Sequence, residues 1–281
     1  MAGNLRPMNT LSSLDDVLGT LQRRYSVDFR QYRRRFLDRR IRARMHARGV
    51  GSHAHYARLL AEDPREYEAL LEALSINVSV FVRDPAAFDA LRDEALVPLI
   101  AERQATRHLA VWSAGCSKGE EPYSVAMLLL DLLGASLPTW RVTLHASDVN
   151  AKALEEARRG WYAADSFNDP EAGYLSRYFS PMAEGVQIEC RVCDLVVWNR
   201  QDLREAPPLA QYDVILCRNV LIYYDHTEQA SMVAHLLDHL APGGYLMLGM
   251  AEIVPADLAR WLVPVNGKLR LYRKVVAAAG G

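Results

Sequence analysis

Cysteine is scarce in this chain, with four in 281 residues. That is too few for a disulfide framework and suits a reducing compartment. No run of about 18 apolar residues occurs, and the N-terminus lacks an apolar core of signal-peptide length, so no membrane insertion is expected. Charge of one sign is also lacking overall: 33 Lys and Arg stand against 34 Asp and Glu. A near-neutral chain gives no global argument for nucleic acid. Phosphate signatures are missing, since no glycine-rich loop ends in Gly-Lys-Ser/Thr and no Gly-x-Gly-x-x-Gly follows a strand. The pairs Cys190/Cys193, His53/His55 and His235/His239 have no further ligand nearby in sequence, so no metal site is expected. Repeats and low-complexity tracts are absent too. A soluble, cytoplasmic, monomeric protein is expected.

Half of the residues are hydrophobic, enough for one large or two modest domains. The most informative stretch is Val111 to Ser124. An apolar run from Leu109 to Trp112 reads as a buried strand, and Val125 to Leu133 reads as a helix. Between them lie small residues, with Gly115 and Gly119 where the backbone must turn tightly. Strand, small-residue loop and helix form the entrance to a nucleotide-type pocket in an open α/β sheet. This loop carries Glu120 and Glu121 where a phosphate would sit. Carboxylates repel phosphate and attract cations, so a sulfonium cofactor with an amino group fits and an anionic nucleotide does not. A helix start also favours acidic residues, which explains one of the two glutamates and not the whole loop.

Residues 1–76 read as an all-helical domain and 77–281 as a second, α/β domain. Ser13, Asp15 and Asp16 signal a helix start, and Leu14, Val17, Leu18 and Leu21 form its stripe. Tyr25 to Arg48 reads as one helix, with Phe29, Tyr32, Phe36, Ile41 and Met45 inward and a broad arginine face outward, ended by Gly49. Helices follow from about Ser52 and from Pro64. An almost single-sign face in a neutral protein suggests an acidic protein partner rather than solvation alone, with nucleic acid a more distant choice. Ile76 to Arg83 reads as an extended linker, and Asp84-Pro85 as the cap of a helix. Strands are expected at 142–146, 187–192, 212–217 and 245–249, with a closing hairpin across Asn266-Gly267. Asp148, at the end of the second strand, is placed to hold ribose hydroxyls. The pattern is α/β: a mostly parallel seven-stranded sheet of the Rossmann-like methyltransferase type behind a helical domain.

Four stretches carry a family resemblance: Asn77 to Arg83, Cys116 to Ser124, Ala146 to Asp148 and Cys217 to Tyr224. Together they resemble the chemotaxis receptor methyltransferases, the CheR family, over nearly the whole chain. The resemblance implies S-adenosylmethionine as methyl donor, leaving S-adenosylhomocysteine, and glutamates of the chemoreceptor cytoplasmic helical bundle as acceptors. It implies cofactor contacts by Asn77, Ser79, Arg83, Ala114, Glu120, Asp148, Asp194, Leu195, Asn219 and Val220. Glu120 would meet the amino-acid end, Asp194 and Leu195 the adenine, and Asn219 and Val220 the methionine side. Arg83 would orient the acceptor carboxylate through its fork of donors, and Tyr223 would line the methyl path. Arg33, Arg40 and Arg44 would dock the receptor.

The chain departs from the family pattern at Ser79, Val82, Lys118 and Asp194. The stretch from Phe179 to Asp194 is also short for the small β-subdomain that grips a receptor peptide in many members. Two other readings compete. One is a non-catalytic module sensing the donor or its product; the other is a methyltransferase for another acidic protein or for nucleic acid. No Asn/Asp-Pro-Pro-Tyr follows the fourth strand, so the motif for adenine-amino methylation is absent.

Overall fold

The computed structural model describes residues 14–25, 29, 32–74, 79–167, 169 and 173–276. They fall into two compact units, one drawn from Met1–Ile76 with Tyr223–Asp225, the other from Asn77–Ile222 with His226–Gly281.

The first unit holds α1 (Leu14–Tyr25), α2 (Arg34–Ala47), α3 (His53–Glu62) and α4 (Pro64–Leu74). Apolar residues at helical spacing close a core of Val17, Leu21, Leu37, Ile41, Tyr56, Leu60 and Leu70. Ser52 caps α3, its hydroxyl accepting from His55 N. Of the single helix expected over Tyr25 to Arg48, Tyr25 ends α1 and Arg34–Ala47 forms α2. Tyr32 instead forms an isolated bridge with Tyr224, and its ring lies 4.3 Å from that of Tyr224. Tertiary aromatic packing thus overrides local helical periodicity there.

One ion pair in this unit engages Arg44, expected as a docking residue. Glu66 is fully buried, and Arg44, 24% exposed, grips it at 2.7 Å. Arg48 reaches the same carboxylate at 3.2 Å, and the Tyr56 hydroxyl donates to it at 2.7 Å. Arg44 is therefore committed to the interior. Arg44→Ala should destabilise the helical unit by about 3 kcal/mol, the low end for breaking a buried pair, because Arg48 remains. Chemical denaturation followed by circular dichroism reads this; an unchanged midpoint would show a merely solvated pair.

The second unit begins with α5 (Pro85–Ala90), a π-helical turn (Leu91–Leu96) and α6 (Val97–Glu102). The widened turn ends two residues before Pro98, which has no N–H to continue the α-helical ladder. Then come β1 (His108–Ala114), α7 (Glu120–Leu133), β2 (Arg141–Asp148), α8 (Ala151–Arg159) and β3 (Trp161–Tyr162). They are followed by α9 (Gly173–Tyr178), β4 (Phe179–Pro181), β5 (Val186–Ile188), α10 (Cys190–Cys193) and β6 (Val196–Arg200). The chain closes with β7 (Tyr212–Cys217), α11 (His226–His239), β8 (Leu240–Leu248), β9 (Leu262–Asn266) and β10 (Leu271–Lys274).

Seven strands form one sheet in the order β6-β2-β1-β7-β8-β10-β9. The first five are parallel, and β10 runs antiparallel to both β8 and β9. β7 is buried along its whole length, as a parallel strand covered on both faces must be. Glu120–Thr139 has the length and hydropathy of a membrane span. Within it α7 buries Tyr123, Val125 and Leu129 in the core of this unit. Strand order runs outward in opposite directions from β1 and β7, so the crevice beyond their carboxyl ends is the switch point where such sheets bind ligands.

Two expectations are corrected. Residues 187–192 supply no strand of the main sheet: Val186–Ile188 joins a separate three-stranded antiparallel sheet in the order β3-β5-β4. Cys190–Cys193 forms a short helix, and the main-sheet strand is β6. The stretch judged short for a β-subdomain therefore contains one, drawing its third strand from Trp161-Tyr162. Asp84 and Pro85 do open α5 at the expected cap and first-turn positions, but Asp84 sits at φ 58 and makes no side-chain cap bond; its carboxylate is engaged by Arg218.

Candidate active site

The loop after β1 is held by the end of β2. Gly115 N and Cys116 N both donate to Ser147 O, at 2.8 and 3.0 Å. Ser117, at φ 52, donates its N–H to Asp148 Oδ2 at 2.8 Å, and Asp148 Oδ1 accepts from Asn150 N at 2.8 Å. Asn150 itself caps α8, so Asp148 is not the cap; it spans the loop and the strand end. A Cβ on Gly115 (φ 78) would lie 2.4 Å from Val220 Cγ2. Only glycine lets the loops after β1 and β7 approach so closely.

α7 begins at Glu120, five residues before the expected start at Val125, so both glutamates occupy its first turn. Favourable dipole interactions there do not require burial, yet Glu120 is only 2% exposed. Burial pushes its carboxyl up to about 7, against a hydrogen bond from Ser79 and the charge of Lys118. Its Oε2 is buried without a protein partner, as is Asn219 Oδ1. Both atoms are acceptors, and a buried acceptor without a donor is costly unless a ligand supplies one. The residues present therefore fit a donor bearing an ammonium group and a sulfonium charge. Lys118, a departure near this pocket, pairs with Glu156 at 2.9 Å.

Glu121 has protein partners. Ser113 Oγ donates to it at 2.7 Å, and Arg218 lies 3.7 Å away. Arg218 is 2% exposed and stacks over the Phe88 ring. Its Nη2 donates to Arg83 O at 2.9 Å and Asp84 Oδ2 at 2.8 Å. Arg83 is half-buried between two left-handed residues, Val82 (φ 49) and Asp84 (φ 58). The Ser124 hydroxyl completes the support, accepting from Val82 N at 3.0 Å and donating to Glu120 O at 2.6 Å.

Not every sequence-assigned residue belongs here. Asp194 and Leu195 precede β6, whereas Asp148 ends β2, and the two strands run parallel with Arg200 beside Asp148. Asp194 and Leu195 thus lie at the amino end of the sheet, away from the crevice, and the adenine assignment is corrected. The residues that follow β6 at the correct end are Gln201, Asp202 and Leu203; Gln201 N donates to Asp148 O at 3.1 Å. A strand placed too early in sequence misplaced the pair. Ala114 ends β1 and is buried. Asn77 lies outside the described residues. Sequence reading also missed Arg218 and Glu252, although Arg218 lies inside the Cys-Arg-Asn stretch and Glu252 just beyond a strand end.

In the helical unit, Arg33 N donates to Tyr223 O at 2.9 Å and Arg33 Nε to Tyr224 O at 3.2 Å. The Phe36 ring lies 5.1 Å from that of Tyr223, and Arg40 stacks over Phe36. Arg33, Arg40 and Tyr223 thus share one region, while Arg44 does not present its charge outward.

The sheet order with its closing antiparallel hairpin, and a pocket of cation-seeking acceptors at the switch point, define a Rossmann-like methyltransferase. Two family models match the chain: CheR methyltransferase, SAM binding domain, over residues 77–269, and CheR methyltransferase, all-alpha domain, over residues 12–75. The chain belongs to the CheR methyltransferase family, and its cofactor is S-adenosylmethionine.

Among curated relatives, the probable biofilm formation methyltransferase WspC of Pseudomonas aeruginosa is 34% identical over 235 residues, 83% of this chain and 55% of that protein. The chemotaxis protein methyltransferase of Escherichia coli is 30% identical over 240 residues, 83% of this chain and 81% of that protein. An uncharacterized 104.1 kDa protein of Rhodobacter capsulatus is 31% identical over 248 residues, 88% of this chain and 26% of that protein. The chain thus spans about a quarter of the last of these and about half of WspC.

The raised carboxyl of Glu120 sets a pH dependence. A cationic donor favours the ionised form, so binding lowers this pKa. Donor affinity should be constant above about pH 7 and decline below it, approaching tenfold per pH unit. Glu120→Gln should bind the donor more weakly and with little pH dependence. Calorimetry between pH 5.5 and 8 tests this; an unaltered profile in the variant would assign the titration elsewhere.

Proposed function

We propose that this chain transfers the methyl group of S-adenosylmethionine to glutamate side chains on the cytoplasmic helices of chemoreceptors, and so acts in the cytoplasm. The observation that carries the reading is the acceptor pair Glu120 Oε2 and Asn219 Oδ1, buried without protein donors at the carboxyl end of the sheet. The family membership and the relatives named chemotaxis protein methyltransferase support the acceptor class.

The bound donor supplies an electrophilic methyl group. Glutamate is ionised at pH 7, its ordinary pKa being near 4.3, so the acceptor needs no general base. The chain's task is alignment and exclusion of water. Glu120 and Asn219 hold the amino-acid end, Asp148 the ribose, and Asp202 and Leu203 take over the adenine end from Asp194 and Leu195. Arg83 presents a guanidinium to the acceptor carboxylate. The pairing of Lys118 with Glu156 partly offsets this cation beside the donor site.

The acceptor docks on α2. Of its six arginines, Arg34 pairs with Asp15, Arg42 with Asp38 and Arg44 with Glu66. Arg35 and Arg39 are exposed and have no ion-pair partner among the described residues. Four residues apart, they share a helix face. Incubation with receptor fragments and methyl-labelled donor should yield base-labile label. The double variant Arg35→Glu, Arg39→Glu should reduce labelling at low salt about tenfold or more and leave donor affinity intact. Full labelling by that variant would make the face a solvated surface; no base-labile label from the native protein would remove the glutamate assignment.

A further inference from the structure

Glu252 lies beyond β8, outside every motif considered above, and is buried at 3% exposure. No described ion pair involves it. Its carboxylate faces backbone amides instead: Oε2 accepts from Gly249 N at 2.6 Å and Asn219 N at 3.0 Å, and Oε1 accepts from Leu221 N at 2.7 Å. The Val220 amide also faces it. These amides converge because Asn219 adopts a left-handed conformation, φ 61. Successive N–H groups around such a residue form a concave anion-binding nest. Glu252 fills that nest from within the chain.

The packing leaves no slack. A Cβ on Gly249 would lie 2.7 Å from Asn219 N and 2.8 Å from Glu252 Oε2. On the far side, Val220 seats in the notch left by Gly115. One carboxylate therefore fixes the turn after β7, and that turn is wedged against the loop after β1. The two loops carry Asn219, Val220 and, at the start of α7, Glu120.

We propose that Glu252 is a positioning residue for methyl-donor binding: its buried carboxylate preassembles the Asn219–Leu221 turn against Gly115 so that the donor meets a preformed pocket. The inference rests on the reading that Asn219 and Val220 face the donor. Preorganisation of this kind acts on affinity, because the ordering cost falls on folding rather than on binding.

The test uses the full chain and S-adenosylhomocysteine as probe, at a temperature where circular dichroism shows each variant folded. Glu252→Gln keeps the shape but turns an amide N–H2 toward at least one backbone N–H. Tenfold or greater loss of affinity is expected, together with a raised KM for the donor and an unchanged KM for the acceptor. Hydrogen exchange at residues 219–221 should accelerate. A variant with a lower unfolding midpoint but native affinity and native exchange would overturn the proposal, leaving Glu252 a stability residue only.

Asn219→Ala separates the layers of the argument. Lost affinity there with native affinity in Glu252→Gln overturns the clamp and leaves the site reading standing. Native affinity in both overturns the site reading. Should Glu252→Gln fail to fold, Glu252→Asp decides: it retains the charge but is one methylene too short to span the nest. An intermediate loss of affinity supports the proposal, and native affinity overturns it.

Discussion

Four carboxylates crowd the carboxyl ends of the parallel strands, and their burial is the constraint around which the pocket is arranged. An ionised carboxylate held away from water is tolerable only when donors surround it. Asp148 accepts from the amides of Ser117 and Asn150. Glu121 has the Ser113 hydroxyl and the Arg218 guanidinium, and Glu252 fills a nest of amides. Glu120 is the exception, with one oxygen unmatched. Two carboxylates organise backbone, a third is matched by side chains, and the fourth retains an unmet demand for a donor. This division of labour identifies the ligand-facing carboxylate more sharply than motif position does, since Glu120 and Glu121 are sequence neighbours with opposite commitments.

Arg218 is the cationic counterpart of this arrangement. It bridges the first turn of α7 and the turn carrying Arg83, while Phe88 covers its face. The Arg83 turn places two non-glycine residues in left-handed backbone, at a cost of about 1–3 kcal/mol each. Such geometry persists only where the surroundings over-determine it. Here a hydroxyl fixes the amide of Val82, and a guanidinium fixes the carbonyl of Arg83 and the carboxylate of Asp84. Arg83 is thereby held by its backbone. Replacing Arg218 would strand Glu121 as well, so the anion network and the candidate catalytic arginine are physically coupled.

Much of the fold was legible because period and punctuation agreed. Pro64 opened a helix, Ser52 capped one, and the apolar runs at β1 and β7 read as buried strands. The failures share a physical origin in tertiary partners invisible to local pattern. Tyr32 pairs with Tyr224 outside any helix, and Asp84, at its expected cap position, turns its carboxylate to Arg218. Val186–Ile188 joined Trp161-Tyr162, far back in the chain, and this displaced the third main-sheet strand to β6. That one error carried Asp194 and Leu195 to the wrong end of the sheet, because the functional end of a parallel strand is fixed by its register. Glycine signals fared better: Gly115 and Gly119 marked a close approach that backbone geometry then required. Glu252 was unreadable, since nothing in a sequence reveals which amides will converge on a carboxylate.

The near-zero net charge shows why a sum is a poor guide to partners. Opposite signs here are segregated by task. The sheet unit buries carboxylates in a concave pocket, where screening by salt is weak and a cation is favoured. The helical unit concentrates arginines on α2; half of them pair with acids of the same unit, while Arg35 and Arg39 remain exposed. A face reduced by internal pairing would offer the proposed acidic partner fewer charges than the sequence suggests. Arg44 illustrates the distinction: its charge counts in the composition and in the sequence stripe, yet Glu66 consumes it. The number relevant to the proposed docking is the charge left after the fold has neutralised its own acids, and on α2 that set centres on Arg35 and Arg39.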